Sequence, residues 1–295
     1  MAAPGDEFTL PRTETILRNR TVLAAMTNKQ SNPDGTLSDA EINWLLRRAE
    51  GGFGIITTAA SHVTPGGQGW VGEMGVWGDH QIPGLTRLAQ GISEHGALSL
   101  AQIFHGGMRA PEDLTGEQPV SASENPCTEA HCGHSRELSS EEIEGLITAF
   151  KDAAVRCAEA GFDGVELHGA HGYLICQFLG EETNRRDDEW GGGIESRAKF
   201  LLRIIEEVKS SVPDDFLVGV RISPEYRKIG VRIEDSLTLS QMLVESGIDF
   251  LHISCWDCFI PPSDHPDDPR MITEWFTEAF SERIPIISTG AIWDA

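Results

Sequence analysis

Basic residues are scarce in this sequence of 295 residues, where 46 Asp and Glu outnumber 23 Lys and Arg and the formal net charge is −23. Nucleic acids and anionic membrane surfaces are bound through basic patches, so this balance predicts neither of them as a partner. No stretch approaches the ~20 apolar residues that a membrane span requires. The first ten residues contain Asp6 and Glu7 instead of the apolar core of a signal peptide, and we therefore expect a cytoplasmic protein.

Cysteine is also scarce, with six residues spread over positions 127, 132, 157, 176, 255 and 258. Cysteines this sparse are typical of reduced thiols and do not form a disulfide framework. The loop from Cys127 to His134 contains two Cys and two His, so a zinc ion is an alternative there, but the spacing is irregular. We predict free thiols and no bound metal.

Short apolar runs recur along the chain and predict buried parallel strands, because most of them are continuously apolar rather than alternating. The predicted strands are Thr21–Met26, Gly54–Ala60, Leu98–His105, Val165–His168, Leu217–Ile222, Phe250–Ser254 and Pro285–Thr289.

Amphipathic helices are predicted between these strands. Two begin with a capping box, Ser38 to Glu41 and Ser139 to Glu142, and others are expected near residues 82–95, 196–211, 234–246 and 273–282. Strand followed by helix, repeated, indicates an α/β fold, and seven such units favour a (β/α)8 TIM barrel. An open doubly wound sheet is the alternative, which is weakened because no G-x-G-x-x-G follows the first strand.

The chain is predicted to form one barrel domain over residues 1–295. A closed barrel needs an eighth strand–helix unit, so we expect either a fragment or an incomplete barrel with two open strand edges. Residues 106–138 form a long insertion after the third strand, rich in Gly, Pro, Ser and Glu. We expect this insertion to act as a lid, because loops of this length are usually functional or disordered.

The motif HGAHGYL, from His168 to Leu174, follows the fourth predicted strand, at the end of a barrel where catalytic groups are found. His168 and His171 can direct two N–H groups at one oxygen atom, and the Tyr173 phenol can reach the same volume. Hydrogen-bond donors that polarise an oxygen, next to a proton donor, suit the reduction of an unsaturated carbonyl compound. A metal site on the two imidazoles is an alternative, but further ligands at a sensible spacing are missing.

Several motifs resemble those of the Old Yellow Enzyme family of FMN-dependent ene-reductases, in the family's order and spacing from about residue 8 to 295. The longest is HGAHGYLICQFLGEETNRRDDEWGG at 168–192. The others are Asn19–Arg20 leading into Ala25–Thr27, QIFHGG at 102–107, VRIS at 220–223 and STG at 288–290. The resemblance implies a TIM barrel that binds FMN across its mouth and takes electrons from NAD(P)H.

The resemblance also implies a role for each matching position. His168 and His171 bind the substrate carbonyl oxygen, and Tyr173 delivers a proton to the α-carbon after the β-carbon has received hydride. Lys29 stands where several members place a substrate-facing aromatic residue. The positions expected to contact FMN are Ala25, Met26, Thr27, Ala59, Gln102, Arg221 and Gly290.

The chain departs from the family at its end, where the phosphate loop after the eighth strand is missing and only the half of the phosphate site around Gly290 remains. We expect a small-molecule enone or enoate substrate and, as is common in the family, a homo-oligomer. One alternative is a truncated relative of the dienoyl-CoA reductases, against which the two-His motif argues. Another is a flavin-free barrel fragment with an interaction or regulatory role. Larger relatives carry an iron–sulfur cluster beyond the barrel, but Cys255 and Cys258 are expected to be free thiols.

Overall fold

A computed structural model describes residues 3–292 as a barrel of parallel strands with helices on its outside. The strands are β1 Phe8–Thr9, β2 Ile16–Leu17, β3 Val22–Leu23, β4 Ile55–Thr57, β5 Ser61–His62, β6 Leu98–Phe104, β7 Val120–Ser121, β8 Arg136–Glu137, β9 Gly164–Gly169, β10 Leu217–Ile222, β11 Phe250–Ser254 and β12 Ile286–Thr289. The helices are α1 Asp39–Glu50, α2 Ile82–Glu94, α3 Glu112–Thr115, α4 Ser140–Glu159, α5 Leu174–Leu179, α6 Ile194–Arg197, α7 Lys199–Lys209, α8 Ile233–Glu245 and α9 Ile272–Phe280.

Seven strands form the barrel wall in the order β3, β4, β6, β9, β10, β11 and β12, and all neighbours are parallel. The order in space is the order along the chain, so each connection crosses the outside of the sheet and carries a helix. The α/β barrel predicted from the apolar runs is confirmed. The first strand is shorter than predicted, because only Val22 and Leu23 of Thr21–Met26 pair with β4.

Within residues 3–292 the two end strands, β3 and β12, are each paired on one side only. β12 is half-buried along its length, whereas β9, β10 and β11 are buried throughout. A cavity of about 460 Å³ lies between β12, the N-terminal ends of the barrel strands and the segment that contains β1 and β2. The described part of the chain therefore contains the seven predicted strands, with helices after the first six of them.

An antiparallel hairpin of β1 and β2, which the sequence did not predict, covers the N-terminal end of the barrel. Its Leu10 and Leu17 pack against apolar side chains from β4, β6, β10 and β11. Arg12, between the two strands, pairs with Asp249 and donates to the Phe216 carbonyl at 2.8 Å, which joins the hairpin to the starts of β11 and β10. The prediction missed these strands because two residues are too few to show a period.

The two predicted capping boxes have different outcomes. At α4, the Ser139 hydroxyl accepts from the Glu142 amide at 3.2 Å and the Glu142 carboxylate accepts from the Ser139 amide at 2.8 Å. At α1, Ser38 accepts from the Glu41 amide, but the Glu41 carboxylate turns inward and accepts from Asn28 at 2.9 Å, so that half of the box was wrong. Neither α4 nor another helix within residues 3–292 is long and apolar enough to cross a membrane.

The insertion at residues 106–138 is folded and contains α3 and the parallel pair of β7 and β8. Ala122 is fully buried, and the buried Asn125 amide donates to the Thr183 carbonyl at 2.9 Å. Arg186 donates to the Ala122 carbonyl at 2.9 Å. These contacts tie the insertion to the loop after α5, and its action as a lid stays a prediction.

Candidate active site

Three side chains from neighbouring strands lie at one level of the barrel interior. His168 on β9 lies opposite Arg221 on β10, and Arg221 lies opposite His252 on β11. Residues in register on neighbouring parallel strands point to the same side of the sheet, and all three side chains are buried. Each is one or two residues before the end of its strand, so this level lies at the C-terminal end of the barrel.

The turn after β9 brings His171 and Tyr173 close to His168. His171 has a φ of +59° and Gly172 a φ of +73°, so two successive left-handed residues reverse the chain here. The ring centroids of His168 and His171 lie 4.9 Å apart, with the ring planes at 87°. The Tyr173 ring lies 5.1 Å from that of His168. The structure thus brings together the three side chains that the motif predicted to act together.

Backbone contacts determine which nitrogen of His168 carries the proton. The Ala170 amide donates to Nδ1 at 3.4 Å, so Nδ1 is an acceptor and the proton of the neutral ring lies on Nε2. In His171, Nε2 lies 2.7 Å from the Ser254 hydroxyl, which also accepts from Arg221 at 3.0 Å. Ser254 therefore joins His171 to Arg221, a connection that the sequence motif did not reveal.

Burial keeps both imidazoles neutral. Loss of solvent lowers the pKa of His168 well below its usual value, and the neighbouring His171 and Arg221 lower it further. Burial also lowers the pKa of His171 to about 3, with Arg221 and Arg109 adding to the effect. Burial raises the pKa of Tyr173, so the phenol keeps its proton. At neutral pH these three side chains can donate hydrogen bonds but carry no net charge.

Aromatic rings line one side of the site. Phe104, at the end of β6, packs edge-on against Tyr173 with the ring centroids 4.9 Å apart, and Trp70 lies 5.6 Å from Phe104. The exposed Arg109 guanidinium lies over the Tyr173 ring, 4.5 Å from its centroid. Its Nη1 donates to the His171 carbonyl at 2.6 Å. A wall of rings with a cation at its edge suits a flat, unsaturated ligand.

A buried polar network of Glu166, Gln102 and His252 lies next to Arg221. The Glu166 carboxylate accepts from Nε2 of Gln102 at 2.6 Å and lies 2.7 Å from Nδ1 of His252. Burial alone would raise the pKa of Glu166, but the nearby His252 and Arg221 outweigh it and the pKa is lowered overall. The carboxylate therefore stays charged and offsets the charge of Arg221.

Two buried nitrogens of this region fit the polar edge of a flavin. Nε of Arg221 and Nε2 of His252 have no hydrogen-bond partner within residues 3–292, although both atoms are shielded from solvent. Unpaired buried polar atoms are costly, so a ligand with donor and acceptor atoms stabilises this arrangement. Nη1 of Arg221 donates to the Ala25 carbonyl at 3.2 Å, so Arg221 also contacts the segment after β3. FMN has such an edge, and Gln102, Arg221 and Ala25 are three of the positions expected to contact it.

The remaining predicted positions lie on loops at the same end of the barrel. Ala59 is buried just after β4, whereas Met26, Thr27 and Lys29 are exposed after β3. Gly290 follows β12 with a φ of +135°, and a Cβ added there would lie 2.3 Å from the Cys255 carbonyl oxygen. Only glycine allows this close approach of two loops.

The residues around the site that were not predicted include Trp70, Arg109, Glu166, His252 and Ser254. Glu166 and His252 occur inside predicted strands, where a charged or titratable residue in an apolar run signals a buried polar contact. No comparable signal marks Trp70, Arg109 or Ser254. Trp70 and Arg109 lie between the barrel strands, and Ser254 is a small polar residue at the end of β11, where it is not unusual.

The loop with two Cys and two His shows no metal centre. His131 lies 2.7 Å from Asp113, and the Cys132 sulfur contacts the His134 carbonyl. Within residues 3–292 no group of three or more His, Cys, Asp or Glu side chains could hold a metal ion. All six cysteines are free thiols in the structure.

Comparison with known proteins gives consistent matches. Residues 11–295 match the profile of the "NADH:flavin oxidoreductase / NADH oxidase family". A probable NADH-dependent flavin oxidoreductase of Bacillus subtilis, YqiG, is 38% identical over 98% of this chain and 78% of its own length. The NADH:fumarate oxidoreductase of Klebsiella pneumoniae is 35% identical over 97% of this chain, which spans only 32% of that protein.

Among solved structures, the Old Yellow Enzyme homologue from Zymomonas mobilis superposes with a TM-score of 0.85 at 26% identity. The match covers 98% of this chain and 82% of the other. The similarity in fold therefore extends over the whole set of strands and loops that carry the site.

Proposed function

The chain belongs to the NADH:flavin oxidoreductase / NADH oxidase family, and on that premise we propose that it reduces the activated C=C bond of α,β-unsaturated carbonyl compounds. Membership confirms the resemblance seen in the motifs. It also confirms the expected FMN cofactor and the NAD(P)H electron donor of a flavin oxidoreductase. The ene-reduction, the substrate and the role of each residue are our proposal.

The observation that carries the proposal is the close packing of His168, His171 and Tyr173. His168 has its proton on Nε2, and no residue of the described chain accepts from that atom. A preorganised donor of this kind stabilises the negative charge that develops on a carbonyl oxygen, by roughly 3–4 kcal/mol where it has been measured in other enzymes. The phenol of Tyr173 is protonated at neutral pH and can supply the α-carbon with a proton.

FMN supplies the hydride that originates on NAD(P)H. We assign its polar edge to Gln102 and Arg221, and its further contacts to Ala25, Met26, Thr27, Ala59 and Gly290. Arg221 provides a cation where negative charge collects upon reduction of the flavin. The neighbouring Glu166 carboxylate partly offsets the positive charge of Arg221. Lys29, exposed after β3, is assigned to the substrate side of the mouth.

The name of one relative supports an unsaturated substrate, because fumarate is an α,β-unsaturated carboxylate. The second candidate, a dienoyl-CoA-reductase-like enzyme, is disfavoured by the paired imidazoles. A flavin-free role is disfavoured by the unpartnered nitrogens of Arg221 and His252. A small-molecule partner, a homo-oligomer and a cytoplasmic location belong to the same proposal.

Anaerobic absorbance spectroscopy tests the function. The chain is saturated with FMN, freed of unbound cofactor and mixed with one equivalent of NADH or NADPH, upon which the flavin band should bleach. Addition of 2-cyclohexen-1-one should restore the band and yield cyclohexanone in equal amount. A flavin that bleaches and recovers with oxygen, but not with any enone, enoate or dienoyl-CoA, would contradict ene-reduction while leaving the family unaffected.

A further inference from the structure

Arg109 is an exposed cation next to the turn after β9, and it is held in place by two contacts. Its Nη1 donates to the His171 carbonyl at 2.6 Å, and its guanidinium lies 4.5 Å from the centroid of the Tyr173 ring. Burial is the main cause of the lowered pKa values of His168 and His171 and of the raised pKa of Tyr173, and the charge of Arg109 acts on all three groups as well. The cation therefore lies next to the place where we propose that the substrate binds.

The charge of Arg109 is not offset by a neighbouring carboxylate. Within residues 3–292 Arg109 forms no salt bridge, and its contacts are the carbonyl and the ring. Three arginines near this end of the barrel differ, because Arg227 and Arg232 both pair with Asp264 and the charge of Arg221 is offset by Glu166. In a chain of net charge −23, an unpaired cation at the mouth produces a local positive potential.

We infer that Arg109 makes this site select anionic substrates, namely α,β-unsaturated carboxylates, by binding their charge. The inference rests on the proposed ene-reduction and narrows its substrate class. His168 and His171 are neutral and provide hydrogen bonds without net charge. A carboxylate that leaves water for this pocket needs a cation, and Arg109 provides one next to His171 and Tyr173 without a carboxylate partner.

The reaction itself increases the need for this cation. Hydride adds to the β-carbon as the C=C π bond breaks, and the electron pair of that bond moves toward the carboxylate. An enoate of charge −1 thus becomes an enediolate of charge −2, whereas a neutral enone reaches only −1. Tyr173 then protonates the α-carbon and regains its proton from water, while NAD(P)H, the source of the hydride, becomes NAD(P)⁺. A cation beside the anion stabilises this transition state more than the ground state.

Crotonate and crotonamide test the inference, because they have nearly the same shape and differ in charge. The kcat/KM of each is measured for the FMN-loaded wild type and for Arg109→Gln. Loss of the His171 contact should lower both values, but the crotonate-to-crotonamide ratio should fall by about 30-fold or more, as expected when a charge loses its partner. Arg109→Lys keeps the charge and should retain most of the ratio.

Arg48→Gln is the matched control. Arg48 also lies over an aromatic ring, 3.8 Å from that of Trp44, and donates to a backbone carbonyl at 2.9 Å, but it is on α1 outside the barrel. This variant should leave the ratio unchanged. Equal losses for both substrates in Arg109→Gln, or the same ratio change in Arg48→Gln, would overturn the inference. Turnover of 2-cyclohexen-1-one without turnover of crotonate in the wild type would also overturn it, whereas turnover of none of the three would count against ene-reduction itself.

Discussion

The carboxylate of Glu166 lies 2.7 Å from Nδ1 of His252 in the interior of the barrel, and both side chains are fully buried. The same carboxylate accepts from Gln102 and acts on the charge of Arg221. A charge in such a position is tolerated only because its partners are in place, so these four side chains depend on one another.

Replacement of Glu166 by Gln should lower the free energy of unfolding by about 3 kcal/mol, because Arg221 then keeps a buried charge without its compensating anion. FMN should also bind more weakly, since the Gln102 amide loses its fixed orientation. Urea denaturation and titration with FMN measure the two effects. Glu94→Gln, at an exposed carboxylate that contacts only Gln90, should change neither, and equal effects in both variants would contradict the prediction.

Replacement of Tyr173 by Phe should slow reoxidation of the reduced enzyme by an enone by roughly 10²- to 10⁴-fold, because the α-carbon loses its proton donor. Reduction by NADH or NADPH should proceed at an unchanged rate. Stopped-flow absorbance resolves the two halves of the cycle. The chain has one other tyrosine, Tyr226, which packs against Gly172, and Tyr226→Phe is the control. Similar reoxidation rates in the wild type and the Tyr173 variant would exclude Tyr173 as the donor.

Acid should destabilise the fold below about pH 6.5. Burial, followed by the charge of His62, lowers the pKa of His105 to about 3, and burial lowers that of His171 to about 3. The unfolded chain binds protons below 6.5 that these native imidazoles do not bind, so the free energy of unfolding decreases as the pH falls from 6.5 toward 3. Each such imidazole contributes up to about 1.4 kcal/mol per pH unit.

His105→Gln should reduce this pH dependence, and urea denaturation between pH 7.5 and 4.5 measures it. His95→Gln, at an exposed histidine, serves as the control and should leave the slope unchanged. A free energy of unfolding that rises as the pH falls over this range would contradict the expected sign.

Gly290→Ala should weaken FMN binding and destabilise the fold, because the added Cβ would lie 2.3 Å from the Cys255 carbonyl oxygen. Gly52 is a suitable control, since it has a φ of +108° but no atom within 4 Å of an added Cβ. Both variants are destabilised by a side chain at positive φ, so the difference between their free energies of unfolding measures the steric clash at position 290. We expect this difference to exceed about 1 kcal/mol. Thermal unfolding and FMN titration measure the two effects. Equal stability and equal FMN affinity of the two variants would contradict the close approach of Gly290 to the Cys255 carbonyl.

The barrel was predictable because its strands are long apolar runs in a regular alternation with helices. β10 and β11 have the predicted bounds, and the capping box at Ser139 marked the start of α4. The hairpin of β1 and β2 was not predictable, since it depends on contacts between Arg12 and residues more than 200 positions away. The carboxylate half of the Ser38 box failed because a tertiary contact with Asn28 competed with the local one.

The proximity of His168, His171 and Tyr173 was predictable, because the three residues are close in sequence at the end of one strand. Ser254 and Arg109 were not, because one lies at the end of β11 and the other follows β6, so both contacts depend on the tertiary arrangement of distant segments. The contact between Nε2 of His171 and the Ser254 hydroxyl likewise required the folded chain.

The neutrality of the imidazoles has a consequence for how the protein responds to acid. Burial lowers the pKa values of His168 and His171 far below those of exposed imidazoles. As the pH falls, catalysis should therefore stop because the barrel unfolds, before these imidazoles are protonated in the folded state. The free energy of unfolding then determines the lowest pH at which the protein stays active. Substitutions that stabilise the outer helices would extend the acid range of the enzyme without any change at its mouth.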